Sequence, residues 1–323
     1  MKQIAIMCCG GIGDSLLMMI AAHQFKEEGY AVTLFGESTE LIAPLFTGYH
    51  FLPKVFFADQ AALEARLKPF DRVIVQNDHS ALAYAFFELR ERNPQLPILF
   101  FFPTFCPRAR AGDFLFNRQQ PMATNIAQAT ASLLKKTAVK TNGLLGPTGK
   151  EHRRHLRRVV IHPTSNKKDT VWKKSSYLHL AKRLQQQQFS VAFAVSPAER
   201  KEWLFAEKRG IDLPLLPTLC DVAAYFYESG FFIGNDSGMG HLASNLNIPT
   251  LTISGHLQWV RLWRPDWSLG VLAVPCFPLP NFKGIGWCFR EKHWSRFVSV
   301  KRVLKAFSHL VALQGVGGQK ETG

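Results

Sequence analysis

Short apolar runs recur along this chain with a helical pattern between successive runs, and that alternation limits the fold more than any other feature. Residues 4–8, 31–35, 72–75 and 98–102 read as strands, and 14–28, 59–67, 80–90 and 122–136 as helices. A strand that is apolar throughout must be covered on both faces, and a helix between each pair makes the sheet parallel. The cluster Leu99-Phe100-Phe101-Phe102 fits such a buried strand.

The alternation breaks once and then restarts. Residues 141–149 are rich in turn formers, and the basic run 152–158 follows, read as a solvated surface. Beyond it, strands are expected at 159–162, 191–195, 231–233 and 250–253. Helices are expected at 175–188, 198–209, 221–228, 238–246 and 300–313. Residues 256–298, dense in Trp, Pro and Phe, give no clear assignment, and the Gly-rich tail 314–323 reads as disordered. At about 150 residues per domain, 323 residues make two. The expectation is an α/β protein of two Rossmann-like domains with parallel sheets, 1–150 and 151–323, the second closed by a C-terminal helix.

Composition narrows the partners. Apolar residues make up 47% and charged residues 20%, which excludes wholesale disorder, a collagen-like chain and a small disulfide scaffold. Lys and Arg number 39 against 24 Asp and Glu, a formal charge of +15 that calls for an anionic partner. The basic residues are dispersed, with no charged stripe carrying interleaved aromatics, which argues against nucleic acid. Six cysteines form no C-x-x-C pair or zinc-ligand set, the pattern of a reduced, intracellular protein. No apolar run reaches the ~18 residues of a membrane span. Gly10, Gly11, Gly13 and Asp14 interrupt the first apolar stretch, so it reads as a first strand and not as a signal peptide.

Three segments carry candidate chemistry. Gly10-Gly11-Ile12-Gly13-Asp14 lies where the first strand turns into the first helix. Glycines there admit a ligand close to the backbone, and a helix N-terminus favours anions. The spacing is neither a dinucleotide fingerprint nor a Walker A loop. Asp14 reads either as a helix cap or as a catalytic carboxylate. In the second segment the run at 231–233 ends in Gly234, and Asn235-Asp236-Ser237-Gly238 opens a helix with His241 one turn in. That arrangement is either an ordinary capped start or a diphosphate site made of backbone amides. The third follows the strand at 159–162, where Thr164, Ser165, Lys167 and Lys168 offer hydroxyl and ammonium donors to phosphate oxygens, or form a plain polar loop.

Together these segments resemble the ADP-heptose–lipopolysaccharide heptosyltransferases, glycosyltransferase family 9. The likeness is strongest at Gly-Asn-Asp-Ser-Gly-x-x-His-Leu-Ala (234–243) with Ile248-Pro249; His162-Pro-Thr-Ser165 with Trp172 and Ser196-Pro-Ala-Glu199 also fit. The resemblance implies a GT-B fold, with the acceptor on the N-terminal domain and the nucleotide sugar on the C-terminal one. It implies inverting transfer of a sugar, heptose from ADP-heptose, with Asp14 as general base, Gly10, Gly11 and Gly13 as the acceptor-side loop, and no metal or other cofactor. Thr164, Ser165, Lys167, Lys168, Asp236, Ser237, Gly238 and His241 would then hold the donor. The acceptor would be an anionic glycolipid, the lipid A–core, met by a peripheral enzyme on the cytoplasmic face of the inner membrane.

The chain departs from the family pattern in places. Thr170 stands where many members carry the Lys that precedes Trp172, and only Cys276 and Cys288 remain of a C-terminal cysteine-rich segment. Trp259, Trp263, Trp267, Trp287 and Trp294 are expected to pack between the domains or to stack on a sugar or adenine. The rival readings are a nucleotide-sugar epimerase or hydrolase of GT-B-like fold, and a basic nucleic-acid-binding protein.

Overall fold

A computed structural model describes residues 1–8, 10–53, 60–77, 79–103, 108–165, 171–277 and 293–315. The chain divides into two compact units, Met1–Leu145 and Gly146–Gly323, parted within the stretch of turn formers.

The first unit runs β1 (Gln3–Cys8), α1 (Ile12–Glu27), β2 (Ala31–Gly36), α2 (Thr39–Ile42), β3 (His50–Pro53), α3 (Gln60–Leu67), β4 (Arg72–Gln76), α4 (Ala81–Arg92), β5 (Ile98–Phe102), β6 (Phe114–Leu115) and α5 (Met122–Leu134). Its six strands are ordered β3-β2-β1-β4-β5-β6, with every pairing parallel. The order reverses direction between β1 and β4. In an open α/β sheet the crevice at the carboxyl ends of such a pair is where ligands bind. Ile4, Ala5, Ile6, Leu34, Val73, Ile74 and Phe100 are fully buried, as strands covered on both faces must be. The short strands β3 and β6, and α2, carry too few apolar residues to be read from the sequence.

The second unit runs β7 (His155–His162), α6 (Lys174–Gln186), β8 (Ser190–Phe193), a 3-10 helix (Arg200–Arg209), α7 (Leu219–Tyr227), β9 (Ser229–Asn235), α8 (Gly238–Asn245), β10 (Thr250–Ile253), α9 (Leu257–Trp263), β11 (Gly270–Ala273), a 3-10 turn (Trp294–Arg296) and α10 (Val300–Leu313). Its parallel sheet is ordered β11-β10-β9-β7-β8, and the direction reverses between β7 and β9.

The basic run is mostly exposed, as expected of a solvated surface, although β7 begins inside it. The Arg157 guanidinium lies 4.5 Å from the Phe189 ring centroid and donates to the Gln187 and Gln188 carbonyls, while Arg158 lies over Tyr225. Other expectations are corrected. The helix expected from 198 to 209 is a 3-10 helix starting at Arg200. Trp294 packs into the second unit's own core, its Cβ and ring over Gly255. Trp259 and Trp263 stack on each other along α9, with Trp259 half exposed. Trp287, Cys288 and residues 316–323 of the tail lie outside the described residues. Among the described residues, no helix is long and apolar enough to cross a membrane.

The β7–β9 pair carries an irregularity that only glycine permits. Register slips between His155 and Val159, so three residues of β7 face the single Gly230. A Cβ on Gly230 would stand 1.9 Å from the Leu156 carbonyl oxygen, a backbone atom that cannot swing away. We therefore expect Gly230→Ala to cost about 1–3 kcal/mol, as overpacking does. Urea denaturation checks this, and an unchanged midpoint would contradict it.

Candidate functional site

The motif residues lie at the carboxyl ends of strands at the switch points, after β1 in the first unit and after β7 and β9 in the second. In the first unit the turn after β1 carries Gly10 and Gly11, and α1 begins at Ile12, with Gly11 as its N-cap. Asp14 is therefore in the first turn, three residues beyond the cap position, so its reading as the N-cap is overturned. Its carboxylate folds back over Gly11, where a Cβ would meet Oδ2 at 2.8 Å. At that place the helix dipole favours an ionised carboxylate. Gly13 is buried inside the same turn.

Sequence reasoning missed Glu37 and Ser38. β1 and β2 end together, Cys8 opposite Gly36, and this brings the β2 loop onto the glycine turn. Glu37 Oε2 lies 3.0 Å from where a Gly10 Cβ would be, and the Ser38 hydroxyl donates to the Gly10 carbonyl at 3.0 Å. The turn thus carries carboxylates from two loops. Nothing in the sequence pairs those loops; the parallel register does.

In the second unit His162 of β7 is registered against Gly234 of β9, so the loops leaving both strands emerge side by side. After β7, Thr164 Oγ1 donates to Glu199 Oε2 at 3.2 Å. The same carboxylate oxygen accepts the Ser196 hydroxyl at 2.7 Å and its backbone N–H at 3.0 Å. Burial opposes ionisation of Glu199, but the bonds from Ser196 and Thr164, with His162 nearby, hold its carboxyl below the usual range. His162 Nδ1 donates to the Ala194 carbonyl at 2.7 Å, and burial lowers its pKa. Glu199 therefore fixes Thr164, while Ser165 follows on the same loop. Lys167, Lys168 and Thr170 lie outside the described residues.

After β9, Asn235 is buried, and its Oδ1 accepts the Trp172 backbone N–H at 3.2 Å. The Trp172 indole N–H donates in turn to the Val298 carbonyl at 2.9 Å. This ties the far end of the β7 loop both to β9 and to the lead-in of α10. Asp236 and then Ser237 follow, with Ser237 at the N-cap position of α8 and extended (φ −156°, ψ 160°). Its hydroxyl makes no capping bond, and Oγ is buried without a partner among the described residues. A buried hydroxyl normally has a partner, so this one is an unmet donor at a helix N-terminus. Gly238 opens α8.

His241 is 4% exposed, with its ring edge-on to Trp267 at 6.0 Å and bonded to the Trp263 carbonyl. Burial drives its pKa down to about 4, so the ring is neutral and offers no cationic charge. Among the described residues, no group of three or more His, Cys, Asp or Glu side chains is placed to hold a metal ion.

Residues 120–265 match the family model of glycosyltransferase family 9 (heptosyltransferase), from α5 through α9. The similarity to that family is thus carried by this segment, less than half of the chain. The segment contains the β7 loop, the Ser196–Glu199 turn and the start of α8. Three solved structures share the fold across nearly the whole chain. E. coli ADP-heptose LPS heptosyltransferase II is 16% identical with a TM-score of 0.66, over 98% of this chain and all of that one. E. coli heptosyltransferase WaaC with ADP is 14% identical with a TM-score of 0.63, over 96% and 100%. A family 9 glycosyltransferase from Veillonella parvula DSM 2008 is 14% identical with a TM-score of 0.65, over 97% and 98%. The two α/β units are thus those of the GT-B fold. No curated protein sequence matches the chain.

The buried groups of residues 120–265 set a pH dependence in two stages. His241 is neutral in the native state down to about pH 4, whereas the unfolded chain protonates it near 6.5. Stability therefore falls as pH drops between those values. The Glu199 contribution is present above its unfolded value of 4.5 and is lost as pH falls through the depressed native one. Urea midpoints measured against pH should show both stages. His241→Gln should flatten part of the first, His162 and His155 supplying the rest, and Glu199→Gln should flatten part of the second, which Asp221 shares. An unaltered slope above pH 4.5 in His241→Gln would contradict this assignment.

Proposed function

We propose that the protein is an inverting, metal-independent glycosyltransferase that moves heptose from ADP-heptose to the lipid A–core of lipopolysaccharide. The single observation that carries the donor side is the unmet Ser237 hydroxyl at the amide-bearing start of α8, at the switch point of the second sheet. A diphosphate is the ligand such a terminus suits: its oxygens accept from the hydroxyl and the leading amides, and the dipole stabilises their charge. The family match covers this segment, and two of the solved relatives are named for ADP or ADP-heptose.

In the proposed reaction the acceptor hydroxyl attacks the anomeric carbon as the bond from that carbon to the diphosphate oxygen breaks. The bonding pair leaves with the nucleoside diphosphate, and the configuration inverts. Asp14 takes the hydroxyl proton. Gly10, Gly11 and Gly13 let the acceptor approach, and Gly11 in particular leaves room for the Asp14 carboxylate. Thr164, Ser165, Asp236, Ser237 and Gly238 form the donor loop, with the Lys167 and Lys168 charges meeting the departing diphosphate. His241 supports the start of α8 as a neutral buried ring. A formal charge of +15 suits a phosphorylated glycolipid at an anionic membrane surface, and supports the reading of a peripheral enzyme on the cytoplasmic face.

ADP should raise the melting temperature where UDP, GDP and CMP do not. Asp14→Asn should bind ADP as wild type does yet lose about 10²–10⁴-fold in turnover. Full transfer by Asp14→Asn would remove the general-base role. Consumption of ADP-heptose without acceptor would instead favour a hydrolase.

A further inference from the structure

A cavity lined by arginines and leucines lies in the first unit, at the edge of its sheet where the strands begin. It measures about 510 Å³ and is entered where β4 and β5 begin and α4 and α5 end; Arg72, Arg90, Arg110, Leu96, Leu99 and Leu133 are among its walls. β1 and β4 run parallel, with Arg72 opposite Ile4, while the glycine turn follows Cys8. At about 3.3 Å per residue the two places are separated by ~13 Å of strand. The cavity is not part of the proposed transfer site.

Its decisive feature is an arginine buried with most of its donors unused. Arg90 is 3% exposed, and its guanidinium carbon sits 4.5 Å from the Phe100 ring centroid and 5.1 Å from that of Phe87. Nη1 donates to Asp113 Oδ1 at 2.6 Å. Nε and Nη2 are buried and have no partner among the described residues, and the same holds for Nη1 of Arg72. Asp113 is already committed, since it also accepts the Phe100 and Arg110 backbone N–H groups. Arg110 pairs with Glu91, and Asp71, the acidic wall residue, accepts the Gln3 backbone N–H.

Buried charged donors left unmade are costly, and native proteins rarely keep three in one place. Nε and Nη2 form the edge of a guanidinium that grips two oxygens side by side. Arg72 Nη1 is a donor for a third. A carboxylate offers two oxygens, whereas a phosphomonoester offers three and up to two charges. The volume exceeds that of a bare phosphate ion, and the leucine walls suit a short carbon body. We propose that this cavity binds a phosphomonoester, held by the Nε/Nη2 edge of Arg90 and by Arg72.

The test uses the full chain saturated with ADP, so that any nucleotide site is filled. Glycerol 3-phosphate is titrated by calorimetry, and vesicles of phosphatidic acid in phosphatidylcholine are used for co-sedimentation. Wild type should bind at least one probe; glycerol 3-phosphate alone would mark a soluble ligand, and vesicles alone a lipid headgroup. Arg72→Gln should weaken that binding about tenfold or more, the effect of one charge-assisted bond. Arg90→Lys keeps the charge but lacks the two-donor edge and should weaken binding at least as much. Arg72 is only partly buried, so its variant carries the test if Arg90→Lys does not fold. Non-specific attraction by a chain with 39 basic residues would barely notice the loss of one. Binding of neither probe, or equal binding by wild type and Arg72→Gln, would overturn the proposal.

Discussion

The parallel pairing of β7 with β9 is the constraint on which the second unit depends. Its two backbones approach closely enough at Gly230 to exclude a Cβ, and the register downstream of that point sets His162 against Gly234. From there two loops leave side by side. One carries Thr164, held by Glu199; the other carries Asn235, tied to Trp172, and then the unmet hydroxyl of Ser237. A slip of one residue would turn every side chain to the opposite face and part these groups.

Among the described residues of the second unit, the electrostatics of the site are those of dipoles and hydroxyls more than of fixed charge. His241 is neutral and packed against Trp267, and Glu199 spends its charge on Ser196 and Thr164. Some of the chain's basic residues lie elsewhere. Arg153, Arg157 and Arg158 stack on Phe231, Phe189 and Tyr225 near the start of β7, and Arg90 lies between two phenylalanines near the start of β5. Part of the +15 is therefore built into the strand-starting edges of both sheets, and the whole excess should not be assigned to the ligands of the carboxyl ends.

The sequence shows elements whose residues are apolar without interruption. The run at 231–233 is visible for that reason, but the extension of β9 to Ser229 and Asn235 is not, because Gly230 and Gly234 look like turn residues until their close contacts are seen. The start of β7 is hidden in the same way by arginines whose stems lie on aromatic rings. Candidate site residues were legible as motifs at strand ends. Their partners were not: Glu37 reaches Gly10, and Glu199 reaches Thr164, only through sheet order and register, which no local pattern encodes. Asp14 was legible as a first-turn carboxylate, yet its position beyond the cap required the actual helix start at Ile12.

The central claim is that the Ser237 hydroxyl is kept unmet for a diphosphate. Ser237→Ala separates that claim from a structural role when stability and ADP affinity are measured on the same preparations. Removing a buried hydroxyl that has no partner should leave the urea midpoint unchanged or raise it, while the loss of one donor to phosphate should weaken ADP binding by about tenfold. An unaltered ADP affinity, or a loss of stability without a loss of affinity, would contradict the account.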